Sequence, residues 1–345
     1  MKGKTMGRSS ICRLRSLIAI VSIFSLFGVD SGVRLVHAES FRADETESFI
    51  EQMRVNHDFD PAILRATLAQ AEVLQSVLEA ISRPAESKPW YLYRQIFIKP
   101  LRIERGADFF AEHQATLARA EKEFGVPAEI IVAIIGIETL YGEYRGRYRV
   151  LDSLATLGFR YPRRSKFFSS ELEHFFLLVR EEGLDPLRLN GSYAGAMGIP
   201  QFIASSYRSY AVDFDGDNVR DLLGSVEDAI GSVANYLNRH GWRRDGLIAV
   251  PVQITGSRPS TLLDSGIKPK FTVREIQGHG VSLYSSVPAA EKGALLEFEL
   301  RDGDDYWIGF DNFYAITRYN HSALYAMAVF QLSERILKAY EDSPQ

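Results

Sequence analysis

The chain has 345 residues, of which 46% are hydrophobic and 24% are charged, and its formal net charge is −4. These values are typical of a globular protein with a large core, and they exclude a long disordered chain. The only cysteine is Cys12, and no two histidines have the His-x-x-x-His spacing, which disfavours a zinc peptidase.

The first 38 residues predict a cleavable secretory signal peptide. Five basic residues precede a 13-residue apolar run at 17–29, and residues 36–38 offer a small-residue cleavage site. The run is too short to span a bilayer as a helix, and an uncleaved short anchor is the alternative interpretation. Because Cys12 precedes the apolar run, it cannot be a lipid-bearing cysteine at the cleavage site. We therefore expect a soluble periplasmic protein.

Removal of residues 1–38 takes away six basic residues and one acid, which changes the net charge from −4 to −9. An exported acidic protein is a poor candidate for nucleic-acid binding. The partner is therefore expected outside the cytoplasm.

Three patterns follow the signal peptide. Residues 39–122 predict a helical domain, with Asp60 as an N-cap, Pro61 in the first turn and Trp90 to Arg94 as an aromatic cluster between helices. One buried face is predicted for the apolar positions Ile63, Leu64, Leu68, Val73, Leu74, Val77 and Leu78. Residues 123–246 remain mostly helical, with Gly, Tyr, Ser and Asn between the helices, as in loops that carry function.

Residues 247–312 predict a small β domain, because apolar and polar residues alternate at 248–255, 270–276 and 295–300. Helix returns at 322–332, and residues 313–345 are expected to complete the helical domain. The predicted fold class is α+β, mainly α.

Glu138 lies in the most apolar helical segment, residues 127–140, four and seven residues after Ile134 and Ile131. Apolar surroundings and the negative end of the helix dipole both raise the pKa of a carboxyl group. A glycosidase needs such a protonated acid to donate a proton to a departing sugar oxygen. An ion pair with Arg145 or Arg147 is the structural alternative, and helix position alone favours that alternative.

A second stretch, residues 190–207, places small residues around Ser192, Tyr193 and Gln201. Small residues let the backbone approach a ligand closely. A tight contact between helices would use the same residues, so this stretch alone does not decide between the two interpretations.

Together these segments resemble the membrane-bound lytic transglycosylase B family of peptidoglycan-cleaving enzymes. The resemblance includes Gly136 to Gly142, Tyr161 to Ser165, Gly191 to Tyr207, Asp228 to Tyr236 and Asn312 to Ser322, in the family's order. It implies a lysozyme-like catalytic core at 123–246, a helical domain and a small β domain.

The resemblance also implies roles for particular residues. Glu138 matches the family's single catalytic acid/base, and Arg163 and Arg164 match an arginine pair in the cleft. The remaining matches to the sugar-binding cleft are Ser192, Gln201, Phe202, Tyr93, Tyr236, Tyr319, Asn320 and Tyr325. Aromatic faces, amides and hydroxyls are suited to uncharged sugars, although aromatic residues at helical spacing also form ordinary cores.

The family's reaction cleaves the bond between N-acetylmuramic acid and N-acetylglucosamine without water and closes a 1,6-anhydro ring. Glu143 is the nearest second carboxylate along the chain, and its helical spacing directs it away from Glu138. A hydrolytic muramidase using the same Glu138 is the main alternative. A non-catalytic cell-wall binding protein is a second, although a binder gains nothing from an acid in an apolar helix.

A third feature, residues 213–221, resembles the start of an EF-hand calcium loop. Asp213, Asp215 and Asp217 occupy positions 1, 3 and 5, and Val219 supplies a backbone carbonyl at position 7. Position 6 is Asn218 instead of Gly, and position 12 is Gly224 instead of the usual Glu. The resemblance implies that Asp228 closes the loop, with Glu227 as the alternative, and that Ca²⁺ has a structural role. A solvated acidic turn is the other interpretation.

The expected partners are peptidoglycan glycan strands and other cell-wall enzymes. No cofactor is expected for catalysis, since proton transfer alone suffices.

Overall fold

The computed structural model describes residues 41–82 and 88–343, so the predicted signal peptide lies outside the described residues. The described residues up to Phe124 form six helices: α1 (Ala43–His57), α2 (Pro61–Leu68), α3 (Gln75–Ile81), α4 (Trp90–Phe97), α5 (Pro100–Glu112) and α6 (Gln114–Phe124). As predicted, Asp60 is the N-cap of α2, where its carboxylate accepts a hydrogen bond from the Ala62 amide at 2.7 Å.

The middle of the chain is also mainly helical. Its elements are α7 (Ala128–Thr139), β1 (Tyr148–Arg149), α8 (Val150–Arg160), α9 (Ser165–Glu181), β2 (Asn190–Gly191), α10 (Ala204–Tyr210) and α11 (Val226–Arg239). Helix α7 is central, and every residue in it except Glu129 is buried. Because its sequence is aliphatic on all sides, it is stable only when neighbouring helices surround it.

A small antiparallel sheet follows. Its elements are β3 (Ala249–Ile254), α12 (Ser260–Leu263), β4 (Phe271–Thr272), α13 (Val273–Gln277), β5 (Val281–Leu283), β6 (Lys292–Glu299) and β7 (Asp304–Gly309). The strand order is β4-β6-β7-β3-β5. One face buries Leu295 and Ile308 in a separate apolar cluster, whereas Phe298 on the other face meets Trp90 of α4 at 5.5 Å.

The chain ends with α14 (Asp311–Tyr319) and α15 (Ala323–Glu341). Helix α15 returns to pack against α4, α5 and α7, which brings the end of the chain beside the central helix. The described residues form a mainly α, α+β fold, as predicted. No helix in the two described ranges is long and apolar enough to cross a bilayer.

The continuous buried face predicted for residues 63–78 is wrong. Helices α2 and α3 are separate, and Ile63 is 64% exposed. The break arises because side chains of α8 bind the intervening backbone: Asp152 accepts from the Glu72 amide and Thr156 from the Leu74 amide, both at 3.0 Å.

Two smaller predictions are also wrong. Residues 90–94 belong to α4 and do not lie between helices, because Trp90 and Tyr93, three residues apart, share its buried face. Residues 273–277 form α13 instead of continuing a strand. Thr272 and Glu275 make a capping box there, in which the Thr272 hydroxyl and the Glu275 carboxylate bind each other's backbone amides.

Candidate active site

Glu138 lies in the last turn of α7, and only 8% of its surface is exposed. Its Oε1 accepts a hydrogen bond of 2.6 Å from the hydroxyl of Tyr325, at the start of α15. No ion pair involves Glu138 among the residues that the structure describes. The carboxyl group is therefore held by one neutral donor inside an apolar helix.

This environment raises the pKa of Glu138 to about 8. Burial is the dominant cause, because an ionised carboxylate loses its hydration there. The hydrogen bond from Tyr325 opposes the shift, because it favours the ionised form. The carboxyl is thus protonated at neutral pH and lies close enough to its transition to lose its proton during a reaction.

The alternative ion pairs predicted for Glu138 do not form. Arg145 donates to the carbonyl oxygens of Gly142 and Leu223, and Arg147 lies over the ring of Tyr148 at 5.3 Å. Glu143, the nearest second carboxylate along the chain, pairs instead with Arg105 at the surface.

The small-residue stretch forms a tightly folded loop beside Glu138. Gly198 has a φ of 74°, and a Cβ there would lie 2.3 Å from the Leu222 carbonyl oxygen, so only glycine fits. Ser192 accepts from the amides of Ala194 and Ala196 at 3.3 and 3.0 Å. Gln201 donates to the Gly198 carbonyl at 2.9 Å. The loop is held mainly by its own hydrogen bonds.

Thr139 connects this loop to α7, a role that sequence analysis missed. Its hydroxyl donates to the carbonyl of Ile199 at 2.8 Å and accepts from the amide of Gly142 at 2.9 Å. A threonine at a helix end has many possible partners, so its type and position gave no signal for this contact.

An aromatic wall lies next to the loop. Phe202 meets Tyr236 at 5.5 Å and Tyr319 at 5.8 Å, and Tyr319 stacks on Tyr325 with ring centroids 6.4 Å apart. Tyr319 donates to the Pro200 carbonyl, and Tyr236 to that of Arg318, both at 2.6 Å. The structure therefore brings together four of the predicted cleft residues around Glu138.

Asn320 and Tyr93 are also near this wall. Asn320 follows Tyr319 directly and is buried. Tyr93 is fully buried in α4, between Trp90 and Phe97, and interacts electrostatically with Tyr325. Its ring is thus covered by protein, and its predicted contact with substrate stays a prediction.

The predicted arginine pair occupies a single 3₁₀ turn before α9. Arg163 is exposed, whereas Arg164 lies over Phe167 at 4.5 Å. Burial lowers the pKa of Arg164, and the nearby Tyr193 and Glu171 act in the opposite direction. The interaction with Tyr193 connects Arg164 to the loop that contains Ser192.

The predicted metal ligands Asp213, Asp215 and Asp217 converge, and they offer carboxylate oxygens that all lie within 4.8 Å of one another. Asn218 adopts the left-handed φ of 71° that a glycine would provide at position 6. The donor set therefore fits a hard cation such as Ca²⁺.

The other two predicted ligands are placed differently. Val219 follows the three aspartates and is exposed. Asp228 is fully buried and lies outside that group of three, and it accepts from the amides of Phe214, Asp215 and Asp221. Asp228 thus binds the loop backbone from inside, and its role as a metal ligand stays a prediction.

A buried, protonated carboxyl beside an aromatic wall and the side-chain amides of Gln201 and Asn320 is an arrangement suited to acid-dependent cleavage of a glycan. The transglycosylase SLT domain family matches residues 42–334. Membrane-bound lytic murein transglycosylase B of Escherichia coli (strain K12) is 44% identical over 303 residues, which cover 85% of this chain and 82% of that protein.

Solved structures agree with this match. The soluble lytic transglycosylase SltB1 from Pseudomonas aeruginosa is 46% identical with a TM-score of 0.81, covering 86% of this chain and 99% of that one. Escherichia coli lytic transglycosylase Slt35 in complex with calcium is 43% identical with a TM-score of 0.80, covering 86% and 94%. SltB3 from Pseudomonas aeruginosa in complex with NAG-anhNAM-pentapeptide is 31% identical with a TM-score of 0.75, covering 87% and 80%.

The chain belongs to the transglycosylase SLT domain family and is a lytic murein transglycosylase. This confirms the family and the enzyme class predicted from the sequence.

The pKa of Glu138 predicts a pH-dependent stability difference for Glu138→Gln. The folded state holds a proton that the unfolded chain releases between its ordinary pKa of 4.5 and about 8, so wild-type stability falls as the pH rises through this interval. The variant lacks this loss, and we expect its free energy of unfolding to exceed that of wild type by roughly 2–3 kcal/mol at pH 7. At pH 4 this advantage should be absent. Denaturant unfolding at the two pH values measures the difference.

The matched control is Glu143→Gln, which changes an exposed acid paired with Arg105. It should show no such gain as the pH rises. An equal stability difference between Glu138→Gln and wild type at both pH values would contradict the raised pKa.

Proposed function

We propose that Glu138 is the single acid/base of a non-hydrolytic cleavage between N-acetylmuramic acid and N-acetylglucosamine. The observation that carries this proposal is a buried carboxyl with a pKa of about 8 that accepts a hydrogen bond from the hydroxyl of Tyr325. In the first step the protonated carboxyl donates its proton to the glycosidic oxygen, and the bond from that oxygen to C1 of the muramic sugar breaks. The acetamido group of the substrate stabilises the cationic C1.

In the second step Glu138, now ionised, removes the proton from the 6-hydroxyl of the same sugar. The 6-oxygen forms a bond to C1, which closes the 1,6-anhydro ring and returns the enzyme to its protonated state. The reaction consumes no water, so it needs no second carboxylate to activate one. The complex of SltB3 with an anhydromuramic ligand supports this route by relationship.

The cleft residues would then bind the glycan strand. Ser192 uses its oxygen to accept from backbone amides, which leaves its hydroxyl proton for a sugar acetamido group. The hydroxyls of Tyr236 and Tyr319 bind backbone carbonyls, so these side chains would contact the glycan through their rings. Gln201 and Asn320 supply amides, and Phe202 fixes the wall behind them. Arg163, Arg164 and Tyr93 are proposed to belong to the same sugar-binding cleft.

Glu138→Gln is expected to abolish peptidoglycan cleavage while the fold is retained, because glutamine cannot donate a proton. Digestion of purified peptidoglycan followed by mass spectrometry measures both the rate and the products. The wild type should release fragments with 1,6-anhydromuramic ends.

The same experiment separates the alternatives. Reducing ends would identify a hydrolytic muramidase, and a Glu138→Gln variant that still releases fragments would overturn the assignment of the acid. Glu143→Gln is again the matched control and should retain activity.

The loop at 213–219 is further proposed to hold a structural Ca²⁺, with Asp213, Asp215 and Asp217 as carboxylate ligands and Val219 as a carbonyl ligand. Their convergence and the calcium complex of Slt35 support this proposal. Asp228 would close the loop through the amides that it binds. No proton transfer involves the ion, which would neutralise three neighbouring carboxylates.

Calcium is expected to raise the melting temperature by roughly 3–6 °C relative to a chelated sample, because it binds only the folded loop. Asp215→Asn should remove the shift, whereas Asp302→Asn, at an exposed acid in a turn of the sheet, should retain it. Thermal unfolding with calcium and with chelator measures both. A melting temperature that is unchanged by either addition would contradict the proposal.

We also propose that the protein acts in the periplasm on peptidoglycan, and that other cell-wall enzymes are its partners. The basic and apolar order of residues 1–38 supports export. The mature protein purified from periplasm should begin at Glu39, as measured by N-terminal sequencing. An intact N-terminus or cytoplasmic recovery would contradict this localisation.

A further inference from the structure

The backbone directly after Glu138 is strained. Leu140 and Tyr141 both have left-handed φ angles, of 51° and 61°, and neither is glycine. Left-handed backbone at such residues costs about 1 kcal/mol each and persists only where surrounding contacts enforce it. The contacts that hold Leu140 and Tyr141 in this conformation therefore also fix the position of Glu138, two residues before Leu140.

One side of the turn is held by Arg102 of α5. Its Nε donates to the carbonyl oxygen of Gly136 at 2.9 Å, two residues before Glu138. Its Nη1 donates to the carbonyl oxygens of Ile96 and Phe97, at the end of α4, at 3.0 and 2.6 Å. One guanidinium thus binds the C-terminal carbonyls of two helices, and it forms no ion pair among the described residues.

The other side is held by Tyr141, three residues after Glu138. Its hydroxyl donates to the carbonyl oxygen of Arg102 at 2.7 Å. Glycines provide the space for this ring, because a Cβ on either Gly106 or Gly136 would lie 2.5 Å from the phenol oxygen. The segment 136–141 is consequently attached at both ends to a single residue of α5.

We propose that Arg102 and Tyr141 form a clamp that positions the Glu138 carboxyl against Tyr325 and the substrate. Both are positioning residues: Arg102 binds the Gly136 carbonyl before Glu138, Tyr141 after Glu138 binds the Arg102 carbonyl, and neither touches the reacting atoms. The inference rests on the proposed role of Glu138 as the acid. The clamp also fixes α7 relative to α4, which contains Tyr93.

Tyr141→Phe tests the clamp by removing one hydroxyl while leaving the ring between the two glycines. Misplacement of a catalytic group by about 1 Å can lower a rate about 100-fold, and we expect kcat to fall about 10- to 100-fold with KM changed less than threefold. A looser turn admits water to Glu138, so the alkaline limb of the kcat profile should move to lower pH. A purely structural role would lower the melting temperature without moving this limb.

Tyr340→Phe, at a tyrosine of α15 that stacks on Phe110 of α5, is the matched control and should behave like wild type. Arg102→Lys retains the charge but not the planar fork, and it should lower kcat and move the limb in the same direction as Tyr141→Phe. Unchanged kcat and pH limb in folded Tyr141→Phe would overturn the clamp. If Glu138→Gln is inactive in the same assay, the role of Glu138 as the acid stands even when the clamp is overturned.

Discussion

Surroundings that exclude water and cations keep a carboxyl group protonated near neutral pH, and they are the cause of the raised pKa of Glu138. Here α7 supplies the apolar surroundings, and α5, α6, α11 and α15 pack around it. Tyr325 donates a hydrogen bond to the carboxyl, and its hydroxyl stabilises the ionised form without adding a charge. The packing of the helical core therefore also determines the acid strength of Glu138.

The sheet and α14 serve this arrangement indirectly. The sheet covers α4 through the contact of Phe298 with Trp90, and Phe310 leads directly from β7 into α14. Helix α14 ends at Tyr319, which bonds the carbonyl of Pro200 and stacks beside Tyr325. The sheet, which the chain forms between α11 and α14, thus helps to place the aromatic wall beside Glu138.

Sequence was sufficient for features encoded by adjacent residues. The aliphatic run of α7 predicted its burial, and the Asp60–Pro61 pair predicted the start of α2. The break after α2 was not predictable, because the groups that compete for its backbone amides are on α8, about 80 residues away. By contrast, the capping box of Thr272 and Glu275 is recognisable in the sequence, but the alternation of apolar and polar residues at 270–276 favoured a strand.

The site shows the same division. The family motifs predicted one shared cleft for Glu138, Phe202, Tyr236, Tyr319 and Tyr325. Residue types alone did not reveal that Tyr325 donates to Glu138. Nor did they reveal Arg102 and Thr139, whose partners are backbone carbonyls that any sequence would offer. Contacts to backbone leave no pattern in side-chain identity, and they form much of the support for this acid.

The hydrogen bond between Glu138 and Tyr325 joins residues that are 187 positions apart. The acid therefore reaches its final environment only when two segments far apart in the chain have folded onto each other. Until α15 has packed, α7 lacks one apolar wall, and water can reach the carboxyl and lower its pKa. The acid strength of Glu138 is thus a property of the assembled fold, and it arises only after α15 has docked.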